Sequence, residues 1–152
     1  MTSRGPVLAV DYGTRRLGLA VSDPETGIAF PAPAIHRTEL HRDLAALREL
    51  VTAREIDRIV VGLPIHMDGR AGPEADAARR FAGQLAKATG LEVDMLDERW
   101  TTREALRSLE ETAKESRRRA KRRDGALDSA AAALLLNTWL ERENAPLPGE
   151  EG

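Results

Sequence analysis

The chain has 152 residues, with 23 Lys and Arg against 25 Asp and Glu, so its formal net charge is −2. It contains no cysteine, which excludes disulfide scaffolds, thiolate zinc sites and cysteine nucleophiles. An aromatic content of 3% argues against a base-stacking platform. The sequence opens without a signal-peptide pattern, and no apolar run reaches membrane-spanning length. We therefore expect a single cytoplasmic domain with no membrane contact.

The first part of the chain predicts three short strands. Residues 7–10 and 17–21 are apolar runs joined by a glycine-containing turn, which is typical of a β-hairpin. A third extended segment falls within residues 28–35. Its Pro31 and Pro33 favour a position at the edge of a sheet, because proline cannot donate to a strand ladder.

The middle of the chain alternates helices and strands. Leucines recur at helical spacing over residues 40–56, and the continuous β-branched run at 59–62 predicts a strand covered on both faces. Pro73 can begin the next helix and Gly90 can cap it. Residues 91–96 predict a fifth strand.

The C-terminal part predicts two helices and a tail. One helix is expected from about residue 101 and the other over residues 128–143, and residues 144–152, with two Pro and two Gly, predict a disordered tail. The order β-β-β-α-β-α-β-α-α favours one α/β domain over residues 1–143, with a mixed sheet flanked by helices.

Three acidic residues lie at the ends of predicted elements. Asp11 ends the first strand, Glu98 follows the last strand and Asp128 opens the last helix. Ligands of α/β proteins gather at the carboxyl ends of strands, so these acids can share one rim if the first and last strands are neighbours and the last helix packs across the sheet. An oxygen-only set of this kind suits Mg²⁺ or Mn²⁺ better than Zn²⁺. Two such ions about 3.5–4 Å apart can activate a water and stabilise the leaving oxygen of a phosphodiester.

Each acid also has a structural interpretation. Asp11 can shape the turn that follows it, Asp128 can be a helix N-cap, and Glu98 can pair with Arg99 or Arg103. The Asp-Tyr-Gly-Thr turn at 11–14 further matches the phosphate loop of actin-like ATPases and sugar kinases. Those proteins place two such domains around a nucleotide, and this chain has room for one.

Residues 114–123 contain seven basic residues in ten. Such density favours sequence-independent binding to phosphate backbones, whereas the plain alternative is a solvated helix end. The predicted phosphate-binding residues of this segment are Lys114, Arg117, Arg118, Arg119, Lys121, Arg122 and Arg123.

Five blocks occur in order over residues 7–140: VDYGTRRLGLA at 10–20, VVGLP at 60–64, MDG at 67–69, DERWTT at 97–102 and LDSAAA at 127–132. Together they closely resemble the YqgF/RuvX family, whose members are described both as pre-16S rRNA nucleases and as Holliday junction resolvases. Two positions depart from the family pattern: His66 stands where Asn is usual, and Trp100 where a smaller apolar or aromatic residue is more usual.

The resemblance implies a ribonuclease H-like fold with a mixed five-stranded sheet, and a two-metal-ion nuclease, which is a hydrolase. It implies that Asp11, Glu98 and Asp128 are the catalytic acids. On this interpretation Asp11 bridges two Mg²⁺ or Mn²⁺ ions and the other two acids hold one ion each. We expect Arg15 and Arg16 to contact the scissile phosphate or its neighbour.

The expected function is cleavage of precursor ribosomal RNA at the 5′ end of 16S rRNA. Resolution of Holliday junctions in branched DNA is the alternative, and it would favour a homodimer, whereas RNA trimming needs only a monomer. A second alternative is a ribosome-assembly factor that binds nucleic acid without turnover. Three converging carboxylates argue against that last function, because their repulsion would weaken phosphate binding unless a metal compensated.

Overall fold

The computed structural model describes residues 5–64, 69–98 and 128–144. In these ranges five strands and three helices are present. The strands are β1 (Val7–Tyr12), β2 (Arg16–Ser22), β3 (Ala29–His36), β4 (Arg58–Leu63) and β5 (Val93–Asp97). The helices are α1 (Leu40–Ala53), α2 (Pro73–Thr89) and α3 (Asp128–Asn144).

The five strands form one mixed sheet in the order β3-β2-β1-β4-β5. β1, β2 and β3 pair antiparallel, whereas β4 is parallel to both β1 and β5. The predicted hairpin, mixed sheet and edge position of β3 are confirmed. The β2–β3 register shifts between Leu17, which is paired with Ile35, and Leu19, which is paired with Ala32, so β3 carries one extra residue there.

Helices cover both faces of the sheet, because successive side chains of a strand point to opposite faces. One face packs against α1 and α2 through a core centred on Leu8, Val10, Leu19, Leu47, Ile59, Phe81 and Leu85. The other face packs against α3 through Val7, Ala9, Ala20, Val60, Leu96, Leu135, Leu136 and Trp139. In the described part of the chain, no helix combines the length and apolar composition that a membrane span requires.

The ends of α2 confirm the predicted start and cap. Pro73 occupies the first turn, where its missing N–H has no helical partner to lose. Gly90 adopts φ = 75° and donates its N–H to the Ala86 carbonyl at 2.8 Å. A left-handed residue of this kind favours glycine, so the sequence marks the end of this helix directly.

α1 is shorter than predicted: it ends at Ala53, whereas the leucine pattern predicted a helix up to Ile56. Glu55 adopts φ = 52°, and the N–H of Ile56 donates to the Val51 carbonyl at 2.9 Å. This closing turn directs Ile56 into the core, where it is 5% exposed. The helix therefore ends where Ile56 turns into the core. The left-handed position just after the helix is occupied by Glu55, although glycine is the usual residue there.

Smaller differences occur at two other boundaries. β5 begins at Val93 rather than at residue 91, and α3 continues through Asn144, one residue beyond the predicted end. The helix predicted from about residue 101 and the rest of the predicted tail lie outside the described residues.

Candidate active site

Asp11 lies at the carboxyl end of β1, on the face of the sheet that α3 covers. Val7 and Ala9 belong to the core beneath α3, and Asp11 follows them at the two-residue period of a strand. On β2 it is paired with Gly18. On β4 the pairing with β1 ends at Val10 and Val61, and the next residue of β4 is Gly62. Both cross-strand neighbours of Asp11 therefore lack a side chain, which leaves space around its carboxylate.

Glu98 reaches Asp11 across an intervening strand. It follows β5, which is separated from β1 by β4, so the two backbones are about 10 Å apart. The Glu98 side chain crosses β4 at Gly62, where a Cβ would lie 2.6 Å from its Oε1 atom. A hydrogen bond joins the carboxyl groups of Glu98 and Asp11. From the sequence, Asp11 and Glu98 were expected to meet if their strands were neighbours. The strands are not neighbours, and Gly62 on the strand between them allows the contact.

The paired carboxyl groups perturb each other. Burial, then the negative charge of Asp11 and the hydrogen bond to it, and finally the charge of Asp97, raise the pKa of Glu98 to about 7. Two carboxylates in contact cannot both ionise without a cost, so without a cation the pair keeps one proton below about pH 7. A divalent cation removes that cost and prefers carboxylate oxygens. The pair therefore fits the Mg²⁺ or Mn²⁺ site expected from the sequence.

Helix α3 begins beside this pair. Its first residue is Asp128, whose side chain lies outside the described residues. The next residue, Ser129, is fully buried, and its hydroxyl donates to the Ala32 carbonyl and accepts from the Leu19 N–H at 3.2 Å. Ser129 thus anchors the start of α3 between β2 and β3, at the register shift. The last helix packs across the sheet, which meets the condition stated above for Asp128 to reach the rim.

A cavity of about 490 Å³ opens between Asp11 and the turn after β1. Arg15 and Arg16 are exposed at its wall, as the sequence suggested for groups that meet a phosphate. Ala131 of α3 lines the same cavity, so the start of α3 and Asp11 border one space. Cationic side chains on one wall and an acid on the other suit a phosphodiester that also meets a metal ion.

The turn that carries these arginines is held from both sides. Gly13 donates its N–H to the Arg16 carbonyl at 3.1 Å, and a Cβ on Gly13 would lie 2.6 Å from that oxygen. The Arg37 guanidinium donates to the carbonyls of Gly13 at 2.7 Å and Thr14 at 3.2 Å. The Arg37 N–H also donates to the Arg15 carbonyl at 2.8 Å. These four hydrogen bonds support the wall of the cavity.

The structure brings some of the predicted site residues together. Asp11 and Glu98 are in contact, and Arg15 and Arg16 line the same cavity as Asp11. Among the described side chains, no group of three or more His, Cys, Asp or Glu forms a cation site. The basic run at 114–123 lies outside the described residues, as do His66 and Trp100.

Sequence reasoning assigned no role to three residues that shape the site. Gly62 had a signal, since a glycine that ends a continuous apolar strand often marks a close approach. Ser129 stands out only as a polar residue before four alanines. Arg37 had no signal, because its partners at 12–14 are brought to it by the fold.

The chain is similar to known proteins over most of its length. The family model described as "RuvX: Holliday junction resolvase" matches residues 5–142. A relative from Koribacter versatilis (strain Ellin345) is 44% identical over 138 residues, which cover 91% of this chain and 88% of the relative. Another from Myxococcus xanthus (strain DK1622) is 40% identical over 139 residues, which cover 91% and 89%. Both relatives carry the provisional name pre-16S rRNA nuclease.

Among solved structures, the fold is similar to that of T. thermophilus RuvC in complex with a Holliday junction substrate. The TM-score is 0.58 at 17% sequence identity, and the match covers 92% of this chain and 96% of RuvC. This likeness shows a ribonuclease H-like fold, in agreement with the mixed five-stranded sheet. With the family match over nearly its whole length, the chain belongs to the RuvX family of nucleases.

Proposed function

We propose that this nuclease uses two divalent cations held by Asp11, Glu98 and Asp128, and that its substrate is precursor ribosomal RNA at the 5′ end of 16S rRNA, in the cytoplasm. The observation that carries the proposal is the hydrogen-bonded Asp11–Glu98 pair beside a cavity walled by two arginines. The names of the relatives favour ribosomal RNA as the substrate.

Bound Mg²⁺ or Mn²⁺ supplies an activated water and offsets the charge that develops on the phosphate. The protein provides the arrangement for this chemistry. Asp11 and Glu98 give up their shared proton, since only ionised carboxylates hold the cation well. Arg15 and Arg16 hold a backbone phosphate at the cavity wall, and Gly18 and Gly62 keep the space around Asp11 clear.

The basic run at 114–123 is proposed to bind the RNA backbone next to this cavity. Its contribution is electrostatic, so it strengthens binding to any strand without selecting a sequence. Branched DNA remains the second candidate substrate, because the family description and the RuvC complex both name a Holliday junction. Cleavage of both junction strands would need two copies of the chain, whereas RNA processing needs one.

A parallel cleavage assay tests this function. Wild type, Asp11→Asn and the control Asp76→Asn, which changes an exposed acid of α2, are given a 16S precursor fragment, an unrelated single-stranded RNA and a four-way DNA junction. Each reaction contains Mg²⁺, Mn²⁺ or a chelator. We expect cleavage of the precursor only with a cation and only when Asp11 is intact. In chelator, Asp11→Asn binds RNA at least as tightly as wild type, because one negative charge has been removed.

The other outcomes separate the alternatives. Cleavage that persists in a clean Asp11→Asn preparation contradicts the proposed mechanism. Cleavage of the four-way DNA junction alone would show that the substrate is branched DNA. Intact RNA binding without cleavage of any substrate by wild type favours a non-catalytic assembly factor.

A further inference from the structure

A second cavity opens on the opposite face of the sheet, at the same end of β1. Its volume is about 250 Å³, and its lining includes Tyr12, Arg37, Thr38, Arg80, Phe81 and Gln84. We call it the Arg37–Arg80 groove. Tyr12 follows Asp11 along β1, so its side chain points to the opposite face. The groove and the catalytic cavity therefore lie on two sides of the turn at 13–16.

The floor of the groove is rigid. The rings of Tyr12 and Phe81 stack with centroids 4.5 Å apart and an interplanar angle of 28°. The Arg37 guanidinium lies 4.4 Å from the Tyr12 ring centroid and donates to the Tyr12 hydroxyl at 2.8 Å. With its bonds to Gly13 and Thr14, Arg37 is fixed in one orientation.

The groove carries net positive charge, because Arg37 and Arg80 outnumber the one carboxylate in its lining. Arg37 has five N–H donors, and the three side-chain bonds just given leave two for a ligand. Within the described ranges, no carboxylate pairs with Arg37 or Arg80, whereas the adjacent Arg79 lies 3.6 Å from Asp76.

One carboxylate also lines the groove, and it is engaged elsewhere. Asp43 is 6% exposed, and its Oδ1 accepts from the backbone N–H of Thr38 at 3.1 Å and the hydroxyl of Thr38 at 3.3 Å. These hydrogen bonds hold the Asp43 carboxylate against Thr38 without neutralising it, so the two guanidinium groups leave the groove with a net positive charge.

We propose that the Arg37–Arg80 groove binds a backbone phosphate and its sugar from the nucleic-acid strand beside the scissile position. This proposal rests on the nuclease function above. A planar guanidinium matches phosphate geometry, and Gln84 adds an amide donor. The volume of about 250 Å³ is below the roughly 300–1,000 Å³ of whole-ligand pockets, so the groove suits a small part of a strand rather than a whole ligand. Because Arg37 also holds the turn of Arg15 and Arg16, a strand bound here lies against the wall of the catalytic cavity.

The test uses a matched pair of charge reversals on α2. Arg80→Glu and Arg79→Glu make the same change of net charge at adjacent exposed positions, and only Arg80 lines the groove. Binding of a single-stranded RNA is measured in chelator over a range of salt concentrations. We expect Arg80→Glu to bind about ten-fold more weakly, as for loss of one charge-assisted hydrogen bond, with a salt slope reduced by about 1. Arg79→Glu should stay near wild type. Equal losses of RNA binding in the two variants would contradict the proposal that the groove binds a phosphate.

A second measurement locates the RNA directly. In an NMR titration of wild type in chelator, the backbone amide of Thr38 and the side-chain amide of Gln84 should shift with added RNA, and unchanged signals contradict the proposal. Cleavage is assayed separately. If wild type cleaves RNA and the two variants bind it equally well, the proposed groove is wrong and the proposed nuclease function stands. If only Arg80→Glu loses RNA binding and wild type cleaves nothing, the proposed nuclease mechanism is wrong and the proposed groove stands.

Discussion

Gly62 stands between Asp11 and Glu98 on the face of the sheet that α3 covers. A Cβ at this position would lie 2.6 Å from Oε1 of Glu98 and 3.2 Å from Cδ2 of Leu135. The first of these atoms is the end of a flexible side chain, so it can move away. An added methyl group would therefore displace the carboxylate more readily than it would disturb the backbone.

We predict that Gly62→Ala keeps the fold and loses most of the cleavage activity. A catalytic group displaced by about 1 Å can lower a rate by about 100-fold. The measurement is kcat for cleavage, with circular dichroism and thermal unfolding to check the fold.

Gly83→Ala is the matched control. Gly83 lies within α2 with nothing within 4 Å of a built Cβ. The same substitution there should leave activity unchanged and stabilise the helix by up to about 1 kcal/mol. Normal cleavage by Gly62→Ala would show that cleavage does not depend on the space that Gly62 leaves for the Glu98 carboxylate.

At the scale of elements, both ends of α3 are fixed to the sheet. Ser129 bonds to β2 and β3 at the first turn. Near the other end, the Trp139 ring lies 5.6 Å from the guanidinium of Arg58, which is 2.9 Å from Asp94. The helix that begins with Asp128 is thus held over the sheet by polar contacts as well as by its apolar core.

Ser129→Ala should destabilise the protein. It leaves the buried Leu19 N–H and Ala32 carbonyl without this partner, at a cost of about 1–3 kcal/mol. Urea unfolding gives the free-energy change, and hydrogen exchange at the Leu19 amide shows whether the start of α3 has loosened.

Thr138→Ala provides the comparison for Ser129. The Thr138 hydroxyl donates to the Leu134 carbonyl at 2.9 Å within α3, so its removal breaks no contact between elements. We expect a much smaller loss of stability. Equal losses in the two variants would mean that Ser129 does not anchor the helix.

At the scale of the whole molecule, the acid pair links stability to pH. Glu98 has a raised pKa of about 7 in the folded chain, against 4.5 for an unperturbed glutamate such as that of the unfolded chain. Between these values the folded state binds more protons than the unfolded state, so the Glu98 contribution to stability falls as pH rises. The loss is absent below about pH 4.5 and complete above about pH 7.

We predict that Glu98→Gln removes this pH-dependent loss. In chelator, the difference in unfolding free energy between Glu98→Gln and wild type should grow in favour of the variant from about pH 4.5 to about pH 7, then level off. Above pH 7, Mg²⁺ should stabilise wild type more than the variant, because the cation binds the paired carboxylates.

Glu25→Gln, at an exposed position between β2 and β3, controls for the loss of one negative charge. Denaturant unfolding at a series of pH values gives the free energies. A constant difference between Glu98→Gln and wild type across this range would show that the acid pair does not share a proton in the folded chain.

The sequence by itself determined most of the helices and strands, and the acidic character of the sheet edge that carries Asp11 and Glu98. Apolar periodicity, prolines and glycines are local signals, so they located the strands, the edge position of β3 and the ends of α2. Asp11 and Glu98 were singled out because both lie at the ends of predicted strands: Asp11 follows Val10, and Glu98 follows Leu96 and Asp97. The end of α1 was wrong by three residues, because the burial of Ile56 depends on the core and not on the helix pattern.

Only the tertiary structure decided which of these residues meet. The contact between Asp11 and Glu98 depends on strand order and on Gly62, and Ser129 finds Leu19 across 110 residues of chain. Arg37 and Arg80 line one groove because α2 packs on the face of the sheet that carries Tyr12. Such pairings follow from how the whole chain buries its apolar surface, and local sequence patterns carry no record of that packing.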